Sequence, residues 1–423
     1  MLKVKLLGAA QEVGRSGILL TLDDGSKILL DYGVSLEGEE PQFPLPVKPK
    51  EISFVSLSHA HLDHSGALPL LYVSASPPLV TTPLTLSLSD LLIRDFLKLS
   101  KYYVPYEYSE VKGMMENAVL KGFNETYEFG GVTVSLVDAG HIPGSAMISI
   151  DTGSYTVVYT GDYALHDTCL LRMGDKSALS KADLVVTEST YAEFDHPPRD
   201  WVEREFIATV TEVIEGGGTV LIPAFAVGRA QEILCVLAKY NFPYKVYVDG
   251  MAKAANDLIL EDSHLLRDPG LFEKAVGMAT KVRDWNDRKK AVEEASVIVS
   301  PAGMLQGGPS EYYMEKIMEK EKNAVVFVSF AIPETPARQV LETGVFASPT
   351  KKGMVKARVE WFDFSAHCGK SELIETVKIS KSNAKFLLVH GEAEAERAMK
   401  KYVEEQGREA LMPALGEEVE IEI

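Results

Sequence analysis

Cysteine is scarce in this chain: Cys169, Cys235 and Cys368 are the only three in 423 residues. Their number is odd, their spacing is wide and no Cys-x-x-Cys occurs. That excludes a disulfide framework and a thiolate zinc knuckle, so all three are expected to be reduced. Cys368 is singled out only because it adjoins His367. Long apolar runs are missing too. None reaches the ~18 residues that span a bilayer, and Met1 leads at once into Leu2-Lys3-Val4-Lys5-Leu6-Leu7, an expected strand rather than a signal peptide. The expectation is a cytoplasmic protein without a membrane partner. Positive charge is in deficit, 43 Lys and Arg against 61 Asp and Glu, for a net charge of −18. This argues against general nucleic-acid affinity but leaves room for a local basic groove. There is no Gly-x-Ser-x-Gly elbow, no P-loop and no fixed-period repeat.

What is present is a globular composition, 46% hydrophobic and 25% charged, in a chain long enough for two or three domains. Two apolar runs flank Asp23-Asp24-Gly25 between Ser16 and Tyr32, a hairpin signal. Strands are expected at 52–57, 132–137, 147–151 and 155–159, and a helix over 83–100. From about Leu184 the pattern becomes strand, loop, helix. Strands are expected at 219–222, 245–248, 296–299 and 324–328, and helices over 230–240 and 310–320. That is the signature of a doubly wound parallel sheet. Strand patterns return at 355–362 and 385–389. The reading divides the chain into a first domain over 1–190, an insert over 191–349 and a return to the first domain over 350–423.

The chemistry concentrates in Ser58-His59-Ala60-His61-Leu62-Asp63-His64. Four ligand-type side chains directly after a buried strand make a poor structural segment. His59 and His61 alternate, so both point to one side of an extended chain and can grip one metal. Asp63 and His64 lie where the chain must turn toward a second. Imidazole and carboxylate without thiolate suit a catalytic rather than a structural zinc. His141, Asp162 and His390 each follow an expected strand, at the end where α/β folds place their reactive groups.

This ordered set resembles the successive motifs of the metallo-β-lactamase superfamily. The resemblance implies an αββα sandwich and two Zn2+ per chain. One ion would be held by His59, His61 and His141, the other by Asp63, His64 and His390, with Asp162 bridging. It also implies that Asp31, in Leu30-Asp31-Tyr32-Gly33, orients the histidines from behind. A hydroxide bridging the two ions would be the nucleophile.

Three further motifs narrow the resemblance. Glu188 in Thr187-Glu188-Ser189-Thr190, His367 in Phe364-Ser365-Ala366-His367, and His390 are similar to motifs A, B and C of the β-CASP group. The stretch between the first two resembles its inserted domain. Gln11-Glu12-Val13-Gly14-Arg15-Ser16 and the Ser-Ala-His form of motif B resemble the cleavage and polyadenylation specificity factor endonuclease more than RNase J. The expected first strand at the N-terminus and the short stretch after His390 resemble the KH-less archaeal or bacterial form. The resemblance implies a zinc-dependent endoribonuclease hydrolysing phosphodiester bonds of single-stranded RNA, as in mRNA 3′-end processing. It makes Asp63, Asp162, Glu188 and His367 catalytic, with His367 protonating the leaving 3′ oxygen or holding the phosphate. A 5′ to 3′ exoribonuclease of the RNase J type and a non-catalytic RNA-binding scaffold subunit are the alternatives. A homodimer or a processing complex is compatible with either.

Two loops resemble RNA-contacting elements. The stretch 223–232 is a loop feeding a helix N-terminus, a geometry that favours an anion, and Arg229 adds a bidentate phosphate donor. In 300–309, Gly303 and Gly307 would let a backbone approach closely. Ser365 and Arg338 complete the expected phosphate contacts. The stretch 329–338 keeps Thr335 and Arg338 but lacks the glycines and Gln of the family pattern. The basic run Lys351, Lys352, Lys356 and Arg358 is expected either beside the RNA or on a solvated face.

Overall fold

The computed structural model describes every residue except 37, 39, 101 and 102, and leaves out the side chain of Leu99. The chain forms two compact units. One comprises Met1–Asp167, Met173–Asp195 and Ala366–Ile423; the other comprises Thr168–Arg172 and His196–Ser365.

The first unit is a sandwich of two seven-stranded sheets. The first sheet runs, edge to edge, Glu418–Ile421, Leu2–Gly8, Gly17–Thr21, Lys27–Leu30, Phe54–Ser56, Leu79–Thr81 and Ala118–Leu120. The second runs Ala410–Leu411, Lys385–Val389, Leu184–Glu188, Thr156–Tyr159, Ala146–Asp151, Val132–Asp138 and Thr126–Phe129. Period-two alternation builds the layer between them. Leu2, Val4 and Leu6 turn inward with Ile18, Leu20 and Ile28, against Val134, Leu136, Ile148 and Val157. Each such side chain contributes about 1.5–3 kcal/mol by leaving water. The outer faces are covered by helices. Leu86, Ile93 and Phe96 of the helix Pro83–Leu99 cover Leu29 and Val55. Leu373 and Val377 of Lys370–Ile379, with Met399 and Val403 of Ala393–Glu405, cover Val185 and Phe386. The αββα order and the Asp23-Asp24-Gly25 hairpin are as expected. The helix expected over 83–100 spans Pro83–Leu99, started by Thr82, whose hydroxyl accepts the Thr85 amide at 3.2 Å.

Strand direction sets up the site. Thr156–Tyr159, Leu184–Glu188 and Lys385–Val389 are mutually parallel, with Glu188 paired to Val389. Their C-terminal ends therefore share one edge, and Asp162, Glu188 and His390 lie at it. In the other sheet Lys27–Leu30 and Phe54–Ser56 are parallel neighbours, which delivers Asp31 and His59 side by side.

The second unit carries a six-stranded sheet in the order Ala279–Lys281, Val246–Val248, Val297–Ser300, Val220–Pro223, Ala324–Phe327 and Arg358–Trp361, every pair parallel. The helices expected over 230–240 and 310–320 are Arg229–Lys239 and Gly308–Ile317. Five further helices, Arg199–Glu215, Ala252–Glu261, Pro269–Met278, Trp285–Glu293 and Pro336–Thr343, lie outside the expected set. Two of them had readable starts: Asp268 accepts the Leu271 amide, and Asp284 accepts those of Asn286 and Asp287. The boundary expected at 350 falls instead between Ser365 and Ala366, because Arg358–Trp361 adds in parallel to Ala324–Phe327. The excursion Thr168–Arg172 joins this unit for a specific reason. The buried Glu232 carboxylate accepts the amides of Cys169 at 2.9 Å and Leu170 at 2.7 Å, and the Arg267 guanidinium donates to the Thr168 carbonyl at 2.8 Å. Among the described residues no helix is long and apolar enough to cross a membrane.

Glu396, on the helix Ala393–Glu405, is fully buried. Its Oε1 accepts the Gln11 amide at 2.9 Å, while Oε2 has no hydrogen-bond partner. Burial pushes this carboxyl up to about 8, helped by Glu12 and Glu392 and opposed by the Gln11 amide. Between pH 4.5 and 8 the folded chain keeps a proton that the unfolded chain has released, so this group lowers stability as pH rises through that window. Glu396→Gln should raise the melting temperature by a few degrees at pH 8 and leave it unchanged at pH 4.5. Equal shifts at both pH values would contradict this account.

Candidate metal centre

All the expected metal-site residues lie in the first unit, and the structure gathers them into two groups. His59, His61, His141 and Asp162 offer ligand atoms all within 4.8 Å of one another, and so do Asp63, His64, Asp162 and His390. Asp162 belongs to both. Its Oδ2 lies 3.6 Å from His59 Nε2, 3.4 Å from His64 Nε2 and 3.8 Å from His141 Nε2, and its Oδ1 lies 3.3 Å from His390 Nδ1. Asp63 Oδ2 is 3.4 Å from His390 Nε2. His59 and His61 follow the strand Phe54–Ser56 on an extended turn, and Asp63 and His64 sit on the single helical turn Leu62–Ser65.

Three of the rings, His59, His64 and His141, are fixed from behind. Asp31 is fully buried at φ +55°. Its carboxylate accepts His64 Nδ1–H at 2.7 Å, the Ser58 amide at 2.7 Å, the Ser58 hydroxyl at 2.6 Å and the Tyr159 hydroxyl at 2.8 Å. Ser58 Oγ in turn lies 3.0 Å from His59 Nδ1, and the Ala366 carbonyl accepts His141 Nδ1–H at 2.8 Å. In His59, His64 and His141 the proton is thus held at Nδ1, leaving Nε2 turned toward Asp162. Ser58 and Tyr159 were not singled out by sequence reasoning. Ser58 stands next to the histidine string, but its role depends on Asp31 being across the sheet.

The electrostatics call for a cation. Burial keeps the His59 and His141 rings neutral, reinforced by neighbouring imidazoles. Burial alone would lift the Asp162 carboxyl, but His390, His64 and His367 hold it well below the ordinary range. Burial would likewise lower the His64 ring, yet Asp162 and Asp63 outweigh it and hold it well above its usual value. The buried Asp162 and the partly exposed Asp63 thus draw positive charge into the pocket, onto the His64 ring. His59 Nε2 and Asp162 Oδ1 are buried with no hydrogen-bond partner, an arrangement costing about 1–3 kcal/mol per atom unless something else binds there. Orphaned nitrogen and oxygen donors aimed at one point, with no thiolate among them, fit divalent metal ions of the zinc type.

Beside these groups stands a second device. His367 Nδ1 donates to the buried Glu188 carboxylate at 2.9 and 3.1 Å. Glu188 is itself held by the Tyr163 amide at 3.0 Å and the Thr190 hydroxyl at 2.6 Å. Thr190 Oγ1 also lies 3.0 Å from the His390 carbonyl oxygen, which couples the two strand ends. Thr190→Val should lower kcat about 10- to 100-fold, the usual effect of losing an outer partner of a metal or catalytic group, while bound metal stays unchanged. An unaltered kcat would refute the coupling. Cys368, next to His367, is fully buried, and burial lifts its thiol well above the ordinary range, so it is no nucleophile.

The expected phosphate contacts all belong to the second unit. Arg229 is the first residue of the helix Arg229–Lys239, after Gly228 at φ +86°. Gly303 packs on the neighbouring loop, where a Cβ would meet the Phe225 amide nitrogen at 3.3 Å. Gly307 starts the helix Gly308–Ile317 at φ +72°. Arg338 is paired with Glu342 at 2.6 Å, and the Ser365 carbonyl accepts Arg199 at 2.6 Å. In the basic run, Lys351 is paired with Glu319, and Arg358 with Glu212 and Glu360.

Comparison with known proteins agrees with this architecture. Residues 12–223 match the metallo-beta-lactamase superfamily, 230–340 the Beta-Casp domain and 352–413 the Zn-dependent metallo-hydrolase RNA specificity domain. Fold and site thus define a metallo-hydrolase. The chain belongs to the metallo-β-lactamase superfamily, in its β-CASP ribonuclease group. It is 42% identical to RNase aCSPSF2 of Saccharolobus solfataricus over 99% of this chain and 85% of that one. It is 38% identical to the Probable RNase MJ4 of Methanocaldococcus jannaschii, over 98% and 99%. It is 32% identical to the transcription termination factor FttA of the same organism, over 92% and 67%. A protein of unknown function from Enterococcus faecalis shares the fold at a TM-score of 0.63 and 17% identity, over 99% of both chains.

Proposed function

We propose that the protein is a two-zinc endoribonuclease that cuts single-stranded RNA, leaving a 5′ phosphate and a 3′ hydroxyl. The observation that carries this reading is Asp162, shared by two ligand groups, beside the Glu188–His367 pair. The relatives named as RNases support RNA as the substrate class. His59, His61 and His141 would hold one ion, Asp63, His64 and His390 the other, and Asp162 both. When bound there, two such ions would supply Lewis-acid chemistry, acidifying a water and offsetting the charge of the phosphodiester.

The chain's own residues do the rest. Asp31 and the Ala366 carbonyl keep the ligand rings turned inward. Glu188 holds a proton at His367 Nδ1, so Nε2 is the atom that delivers a proton to the leaving 3′ oxygen. Tyr163 and Thr190 keep that carboxylate in place. His367 is 19% exposed while Glu188 is 1% exposed, so the ring reaches substrate and its partner stays out of water.

The test is cleavage of an end-labelled, unstructured RNA by purified protein, with bound metal measured on the same sample. Internal fragments ending in 5′ phosphate, with two zinc ions per chain, are expected. Mononucleotides alone would make the protein an exonuclease. A zinc-loaded but inert protein would overturn the enzymatic reading in favour of a scaffold.

A further inference from the structure

We infer that Tyr191 and Phe194 form a stacking site for a nucleobase of the RNA next to the bond that is cut. This deepens, and rests on, the RNA-hydrolase reading. The ring of Tyr191 lies 5.8 Å from that of His367, centroid to centroid. The ring of Phe194 lies 5.4 Å from Tyr191 at 74°. An aromatic path thus leads away from the proton-carrying histidine. It ends at Phe194, which is 52% exposed.

The segment is held rigidly to the stretch that follows His367. Tyr191 bridges Gly369 in parallel, the Phe194 carbonyl accepts the Lys370 amide at 3.0 Å, and the Asp195 carboxylate accepts the Ser371 amide at 2.6 Å and its hydroxyl at 2.8 Å. A phenylalanine pinned in this way yet left half in water is an exposed π-face with no rotational freedom of its backbone to lose. Single-stranded nucleic acid is held by such faces, because every base presents one. Glu193 and Asp195 flank Phe194 with negative charge, which disfavours a phosphate there and favours a base.

The probe is a short single-stranded RNA, together with a set of the same backbone in which each nucleotide in turn is abasic. Equilibrium binding is measured with the metal-loaded full chain, in a His367→Ala background to suppress cutting. Phe194→Leu should weaken binding of intact RNA about 5- to 100-fold, the range for one base stacked on one ring. One abasic oligonucleotide should bind both proteins equally, and Phe194→Trp should retain the affinity. The slope of affinity against salt should not change, since stacking releases no counterion. Equal binding of intact RNA by the Phe194→Leu protein and its parent would overturn the inference. So would a loss that persists on every abasic oligonucleotide, because the ring would then be touching something other than a base. Cleavage by the unsubstituted protein is run alongside. If it neither binds nor cuts RNA the underlying reading falls, whereas cutting with Phe194 indifferent removes the stacking site alone.

Discussion

Asp162→Ala will lose both bound metal and activity. Its carboxylate is the one group common to the two ligand sets, and it lies within 3.8 Å of nitrogens from four histidines. Without it His59, His61 and His141 remain as one set and Asp63, His64 and His390 as another, with nothing to hold two cations close against their mutual repulsion. A metal pair supplies several kcal/mol of charge stabilisation. At about 1.4 kcal/mol per factor of ten, its loss should cost about 10^3-fold or more in kcat. Metal analysis should fall from two ions per chain to one or fewer. A variant that keeps two ions and cuts at the parental rate would exclude a shared carboxylate at this position.

The second large effect belongs to His367→Ala, and it should look different. His367 Nδ1 is bonded to the Glu188 carboxylate, so metal content should remain at the parental level. Removing a general acid costs roughly 10^2- to 10^4-fold in rate. The loss should fall on kcat, and the limb of the pH–rate profile that reports the protonated acid should disappear. Glu188→Gln should reproduce part of this loss, because an amide no longer fixes the ring proton at Nδ1. Should His367→Ala instead shed metal, the residue would be a ligand and its assignment here would be wrong.

The part of this site that was readable in the sequence is the part built from short-range order. His59 to His64 occupy one turn of chain, and His141, Asp162 and His390 betray themselves by following apolar strand patterns. What escaped reading is what tertiary pairing creates. Thr190 is an ordinary hydroxyl until two parallel strands bring the His390 carbonyl to it across 200 residues. Ser58 becomes a relay between Asp31 and His59 only in the folded sheet. The later boundary of the inserted unit has the same origin. The run 355–362 reads as a strand in isolation, and only its pairing with Ala324–Phe327 says which sheet it completes. In the second unit, polar sequence masked the apolar stripe of Trp285–Glu293, whose one fully buried residue is Ala291.

The shared position of Asp162 also has a consequence for how the protein is made. One ligand group is complete in the nascent chain once residue 162 has been added; the other waits for His390, which is 390 − 162 = 228 residues later. At about 5–20 residues per second of synthesis, that is a delay of roughly 10–45 s. During it the strand Lys385–Val389, which must slot between Leu184–Glu188 and Ala410–Leu411, does not yet exist. Throughout that interval the growing polypeptide carries one complete set of ligand-type side chains and one incomplete set.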